Sequence, residues 1–404
     1  MPSSQMKLTR WCLLATIYLL SICLSIGLST ALGASPTSEY NWNLLAWMPK
    51  PIVPADNPMS SEKVELGRHL FYEQRLSITG KFSCASCHIQ ALAFTDGKSV
   101  SVGATGETHF RGAMSLANIA YSPVLTWANP LIKQLEKQAL VPMFGEHPVE
   151  MGMGGREKQI LVMLKNDSKY RQMFAAAFAD SEDAINLNNI TKALATFERT
   201  LISINSPYDR YRFAGDSNAI SQAAKRGEKL FNSENLECFH CHGGINFTDS
   251  IMHQKLAFVE IAFHNTGLYN IDGKGAYPPD NTGVYEITSV PSDMGRFKAP
   301  TLRNIALTSP YMHDGSIATL EEVIDHYKAG GRTIRGGKFA GVGSDNPLKS
   351  EFINGFDLTE SEKSDLIAFL KSLTDEGLIK NPDFSDPNID PIIVNTVRLR
   401  QETR

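Results

Sequence analysis

The chain has 404 residues, of which 42% are hydrophobic and 20% charged, with a formal net charge of -4. This balance suits a globular protein with a sizeable core and excludes a disordered one, and its slight acidity gives no reason to expect a nucleic acid partner. With the two ends set aside, about 340 residues remain, which favours two domains over one.

At the N-terminus, Lys7 and Arg10 precede an apolar run from Trp11 to about Leu28, and Ala31-Leu32-Gly33 offers small residues for cleavage after Gly33. The pattern predicts a signal peptide over residues 1–33 and export to the periplasm. Because the run is long, an uncleaved membrane anchor is the alternative. Cys12 and Cys23 lie inside this segment.

The remaining cysteines form two motifs, Cys84-Ala85-Ser86-Cys87-His88 and Cys238-Phe239-His240-Cys241-His242. In each, two thiols one turn apart can add across the vinyl groups of one heme, and the adjoining histidine can bind its iron. A pair of disulfides or a zinc ribbon is the competing reading. A ribbon has no use for a histidine after both pairs, and the roughly 150 residues between them far exceed ribbon spacing.

The motifs sit in a duplicated context. Leu66-Gly67-Arg68-His69-Leu70-Phe71 precedes the first and Arg226-Gly227-Glu228-Lys229-Leu230-Phe231 the second, and Phe-Thr-Asp follows each, at Phe94 to Asp96 and Phe247 to Asp249. Two copies of one heme-binding unit are implied. Ile190, Leu194, Phe197, Leu201 and Ile204 predict an amphipathic helix closing the first unit, ended by Pro207. A linker follows at Gly215 to Asn218. Thr319-x-x-Glu322 opens a short helix ended by Gly330-Gly331, and Thr359-x-x-Glu362 opens one carrying Leu366, Phe369, Leu370 and Leu373. The prolines after Asn381 predict an extended tail over 381–404. Strand alternation is scarce, so the fold expected is mostly α, with two cytochrome c-like heme domains in tandem at 50–214 and 215–380.

These residues resemble the bacterial di-heme cytochrome c peroxidases and their relative MauG. The resemblance spans about residues 50–375 and rests on the paired motifs, on Pro148-Val149-Glu150-Met151-Gly152, on Lys298-Ala299-Pro300-Thr301-Leu302-Arg303-Asn304, and on Tyr311-Met312-His313-Asp314-Gly315 running into Thr319-Leu320-Glu321-Glu322. Met114 to Asn118 and Leu125 to Pro130 look like the MbnH-type subgroup, found with copper-associated operons.

The resemblance implies two covalently bound hemes c, attached at Cys84/Cys87 and Cys238/Cys241 and held by His88 and His242. Where the peroxidases carry a distal histidine over the first iron, this chain has Ala104. A five-coordinate first heme, open to peroxide as in MauG, is expected, with nearby His109 the alternative ligand. At the second iron the matching helix presents a methionine in the peroxidases and a tyrosine in MauG; here it presents Tyr327, with Met312, His313 and His326 as alternatives. An anionic oxygen ligand favours the higher oxidation states. Glu150 matches the family's distal glutamate, a carboxylate that moves a proton between peroxide oxygens. Gln138 is a second candidate beside it. Trp127 matches the tryptophan between the hemes, where an indole relays charge.

Calcium between the hemes is also implied, through the carbonyls of Thr308 and Pro310. Gly112 stands where the family has an asparagine ligand, and His264 is given a structural role. The expected function is hydrogen peroxide-driven formation of a high-valent di-heme state that oxidises a residue, such as a tryptophan, of an MbnP-like partner protein. Detoxification of peroxide with electrons from a small cytochrome c or copper protein is the alternative. A pure electron-transfer cytochrome gains nothing from an open iron.

Overall fold

The computed structural model describes residues 40–389. The expected signal peptide, its membrane-anchor alternative and the end of the tail lie outside the described residues. The described residues from Trp42 to Ile389 form one compact unit. It is largely helical, with α1 (Ser61–Phe71), α2 (Cys84–Cys87), α3 (Leu135–Gln138), α4 (Leu140–Phe144), α5 (Glu157–Asn166), α6 (Ser168–Ala177), α7 (Leu187–Glu198), α8 (Pro207–Phe213), α9 (Gln222–Phe231), α10 (Cys238–Cys241), α11 (Tyr285–Thr288), α12 (Leu320–Lys328), α13 (Glu360–Lys371) and α14 (Glu376–Lys380). Among the described residues the only sheet is β1 (Thr333–Ile334) paired antiparallel with β2 (Gly341–Val342). No helix of the described residues is long and apolar enough to cross a membrane.

The duplicated sequence becomes a duplicated helix crossing. α1 packs on α7, and α9 packs on α13. At each crossing stands a glycine. A Cβ on Gly67 would lie 2.0 Å from the Ala193 carbonyl oxygen and 2.8 Å from Phe197 Cβ, and one on Gly227 would lie 2.0 Å from the Asp365 carbonyl oxygen and 2.9 Å from Phe369 Cβ. Any side chain there forces the helices apart. Beside the glycines the same aromatic contact recurs, Phe71 on Phe197 at 5.3 Å and Phe231 on Phe369 at 5.1 Å. Each crossing anchors its own buried cluster, Leu66, Leu70 and Leu194 in one, Leu366, Leu370 and Phe247 in the other. Each such side chain taken out of water contributes roughly 1.5–3 kcal/mol.

Helix ends follow local chemistry. Thr319 Oγ1 accepts from the Glu322 amide at 3.2 Å while Glu322 Oε2 accepts from the Thr319 amide at 3.1 Å, and Thr359 and Glu362 repeat the arrangement. The helix expected over Ile190 to Ile204 is shorter: α7 ends at Glu198, and Leu201 and Ile204 are buried in non-helical backbone. Pro207, expected to stop that helix, instead starts α8, because proline at the first helical position has no amide to leave unpaired and Ser206 and Asp209 form the capping box behind it. The tail expected to be extended begins with a 3₁₀ turn at Pro382–Phe384, and α1 holds it: Arg68 donates to the Pro382 carbonyl at 3.2 Å and Tyr72 to the Phe384 carbonyl at 2.7 Å.

Candidate active site

The two cysteine pairs line two different cavities. Cys84, Cys87 and His88 open into one, and Cys238, Cys241 and His242 into the other. All four thiols are free, and burial pushes Cys87 and Cys238 up to about 12, so they are neutral. Thiols sent to separate cavities do not make the four-cysteine zinc ribbon that spacing alone allowed.

The Phe-Thr-Asp repeat explains how each histidine is aimed. Phe94 and Phe247 hold positive φ, 62° and 51°, which turns their carbonyls back toward the preceding motif. His88 Nδ1 donates to the Phe94 carbonyl at 2.8 Å, and His242 Nδ1 to the Phe247 carbonyl at 3.3 Å. A carbonyl only accepts, so Nδ1 carries the proton in both rings and Nε2 keeps its lone pair for a metal. Burial lowers both imidazoles and keeps them neutral. Two half-buried, neutral, oriented imidazoles, each beside paired thiols in an apolar-lined cavity, fit two hemes.

The first cavity gathers candidates from across the sequence: Glu150, Gln138, Trp127 and His109 join His88 there. Glu150 is half-buried, and burial pushes its carboxyl up to about 7. The loop carrying Ala104 lies against it, with the Ala104 amide donating to the Glu150 carbonyl at 2.6 Å. That approach needs Gly103, whose Cβ would meet the Val149 carbonyl oxygen at 2.0 Å. His109 is tied within its own loop, its Nδ1 accepting from the Arg111 amide at 3.0 Å.

Glu198, which sequence reading missed, also faces this cavity; it is 7% exposed and burial pushes it up to about 8. Its place at the end of an amphipathic helix hid it, because an acid there reads as solvated.

The second cavity takes Tyr327 from α12, together with Met312 and His313. His326 does not line it; it is buried, and both ring nitrogens lack hydrogen-bond partners. His313 stacks on Phe297 at 3.6 Å with burial pushing it down to about 3. Burial raises the Tyr327 phenol, with Cys241 and Cys238 adding to the shift, so it is neutral until a cation binds the oxygen. His264 pairs with Asp249 at 2.5 Å; burial lowers its imidazole, but that bond and neighbouring Cys241 prevail and push it up to about 10. The pair lies beside Cys241 of the second motif.

Trp127 lines both cavities. Its Nε1 donates to the Gly112 carbonyl at 2.9 Å. Between the cavities, a third pocket is lined by Gly112, Thr308, Pro310 and Asp96. Asp96 Oδ2 is buried without a hydrogen-bond partner, and among the described residues the Thr308 and Pro310 carbonyls accept no hydrogen bond. Oxygens left unpaired in this way fit a hard cation, with the carboxylate supplying what Gly112 cannot.

Residues 61–218 match the family model described as di-haem cytochrome c peroxidase. The chain is 36% identical over 329 residues to the methylamine utilization protein MauG of Methylophilus methylotrophus, covering 81% of this chain and 86% of that one. It is 35% identical over 363 residues to the cytochrome-c peroxidase IdrP1 of Pseudomonas sp. (strain SCT), covering 86% and 90%. A crystal structure of a MauG-like protein associated with microbial copper homeostasis superposes with a TM-score of 0.84 at 51% identity, covering 86% of this chain and 99% of that one.

Proposed function

The chain belongs to the di-heme cytochrome c peroxidase family, heme oxidoreductases that act on hydrogen peroxide, and from that premise we propose that it uses peroxide to oxidise a residue of a partner protein. The observation that carries this reading is Trp127, one indole lining both cavities. Cys84, Cys87 and His88 would hold one heme c, and Cys238, Cys241 and His242 the other, in two cytochrome c-like domains in tandem. Bound heme supplies a redox-active iron able to take up the oxidising equivalents of peroxide.

The rest is work for the side chains. Glu150, ionised above its raised pKa of about 7, accepts a proton from one peroxide oxygen and returns it to the other, which leaves as water. Gln138 orients peroxide beside it. Ala104 offers no ligand, and His109, bound within its loop, leaves the first cavity open. Trp127 gives up an electron and regains one, dividing a long transfer into two shorter ones. Tyr327 would supply an oxygen ligand to the iron of a heme in the second cavity, which His264 also lines.

Thr308, Pro310 and Asp96 would hold calcium by oxygen between the sites. Export to the periplasm accords with the basic, apolar and small-residue order of the N-terminal segment.

The 51% identity to a protein associated with copper homeostasis favours a partner from that setting. The test is to mix the purified di-heme protein with hydrogen peroxide and a copper-associated candidate partner, then weigh the partner by mass spectrometry. Added oxygen on a partner tryptophan, absent with Trp127→Phe, is expected. An unmodified partner, with a reduced small cytochrome c consumed instead, overturns this reading in favour of detoxification.

A further inference from the structure

Lys298 is 6% exposed, yet it has no carboxylate at ion-pair distance among the described residues. Its Nζ donates to Ser122 Oγ at 3.0 Å and to the Val124 carbonyl at 2.8 Å, and its backbone amide donates to the Trp127 carbonyl at 2.8 Å. Lys298 thus grips both ends of the segment that delivers Trp127, whose ring is fixed separately through Gly112. An ammonium has three donors, and two are used. The residue lines both the pocket between the cavities and the His242 cavity, and neither of its acceptors neutralises its charge. Burial pushes it down to about 8, against a weaker pull from Asp249. A buried, unpaired charge is costly unless an anion arrives to offset it. Heme carries two propionate carboxylates.

We propose that Lys298 is a positioning residue that clamps Trp127 between the two cavities and turns its remaining N–H and its charge toward a propionate of the heme held by His242. This rests on the reading of that cavity as a heme site and of Trp127 as the relay. A cation beside a heme disfavours its more positive, oxidised form, so the charge raises that heme's midpoint potential.

The experiment is spectroelectrochemical titration of the holoenzyme with Lys298→Met, which keeps the stem, and Lys298→Gln, which keeps polar contacts without the charge. Both are expected to move the His242 heme to a more negative potential while the His88 heme moves less. After photoreduction, inter-heme equilibration should slow in Lys298→Met and slow less in Lys298→Gln. Unchanged potentials in both variants, or equal shifts of both hemes, overturn the proposal. If Lys298→Met does not fold, Lys298→Gln alone decides through the potential of the His242 heme. A Trp127→Phe enzyme with unaltered equilibration would remove the relay reading, while the potentials would still decide whether Lys298 faces that heme.

Discussion

Glu150 shows how a single environment sets a single residue's chemistry. Its carboxyl lines a cavity with apolar neighbours Met143 and Met151, both buried, and the loop at Gly103 closes over its backbone. Burial disfavours the charged form and moves the pKa to about 7, near the pH at which a base is both free and strong enough to act. With Glu150 as the proposed base, which acts ionised, the second-order rate with peroxide should rise through pH 6 to 8 with an inflection near 7. Stopped-flow rates across that range check it. Glu150→Gln should abolish the inflection and slow the reaction by about two to four orders of magnitude. An unchanged profile in the variant assigns the inflection to another group, Glu198 first. The same shift affects stability in the opposite direction. The folded state holds this proton more tightly than the unfolded chain does, so its contribution is full below the ordinary 4.5 and is lost as pH rises through 7.

Among the elements, the repeated crossing of α1 on α7 and α9 on α13 places the motifs. Each crossing is close because each has a glycine facing backbone, and each motif follows the first helix of its pair. Gly227→Ala puts a methyl group 2.0 Å from the Asp365 carbonyl oxygen, a contact that no rotamer relieves because both atoms are fixed to backbone. Overpacking of this kind costs about 1–3 kcal/mol or more. Denaturant unfolding of the holoprotein should register that loss, with parallel weakening in Gly67→Ala. Exposed Gly80, which meets nothing within 4 Å but has φ of +63°, gives a control in which only backbone strain is added.

At the scale of the whole molecule, buried polar groups bind distant segments into one body. Arg303 is 1% exposed; it donates to both oxygens of Asp209 at 2.8 and 3.0 Å and also reaches the Ile245 carbonyl, just before the Phe-Thr-Asp turn that aims His242. Asn118 donates to the Ser203 carbonyl at 3.0 Å and to Asn246 Oδ1 at 2.9 Å, and Asn304 donates to Ser203 Oγ at 3.0 Å. Removing one partner of a buried ion pair leaves the other unpaired. Asp209→Ala should therefore cost about 3–5 kcal/mol in urea unfolding. It should also perturb the spectrum of a heme bound at His242 more than that of one bound at His88. Equal perturbation of both would mean that the pair stabilises the fold without steering the second motif.

The candidate attachment residues Cys84, Cys87, His88, Cys238, Cys241 and His242 could be picked out from sequence, because thiol spacing, an adjoining histidine and a duplicated context are local features that need no coordinates. The mostly helical character and both threonine capping boxes were legible for the same reason, as each depends on residues within one turn. The end of α7 was not, since burial of Leu201 and Ile204 preserves apolar spacing after the helix has stopped. Nor was Glu198, nor the unpaired oxygen of Asp96, because a charged residue reads as solvated until the rest of the chain folds over it. The meeting of Glu150, Gln138, His109 and Trp127 in one cavity, and the presence of Trp127 in the other, were decided only by tertiary structure. Side chains far apart in sequence acquire a common site only when packing fixes the backbone between them. The local code can then name the chemistry each residue carries, while the fold determines which residues meet.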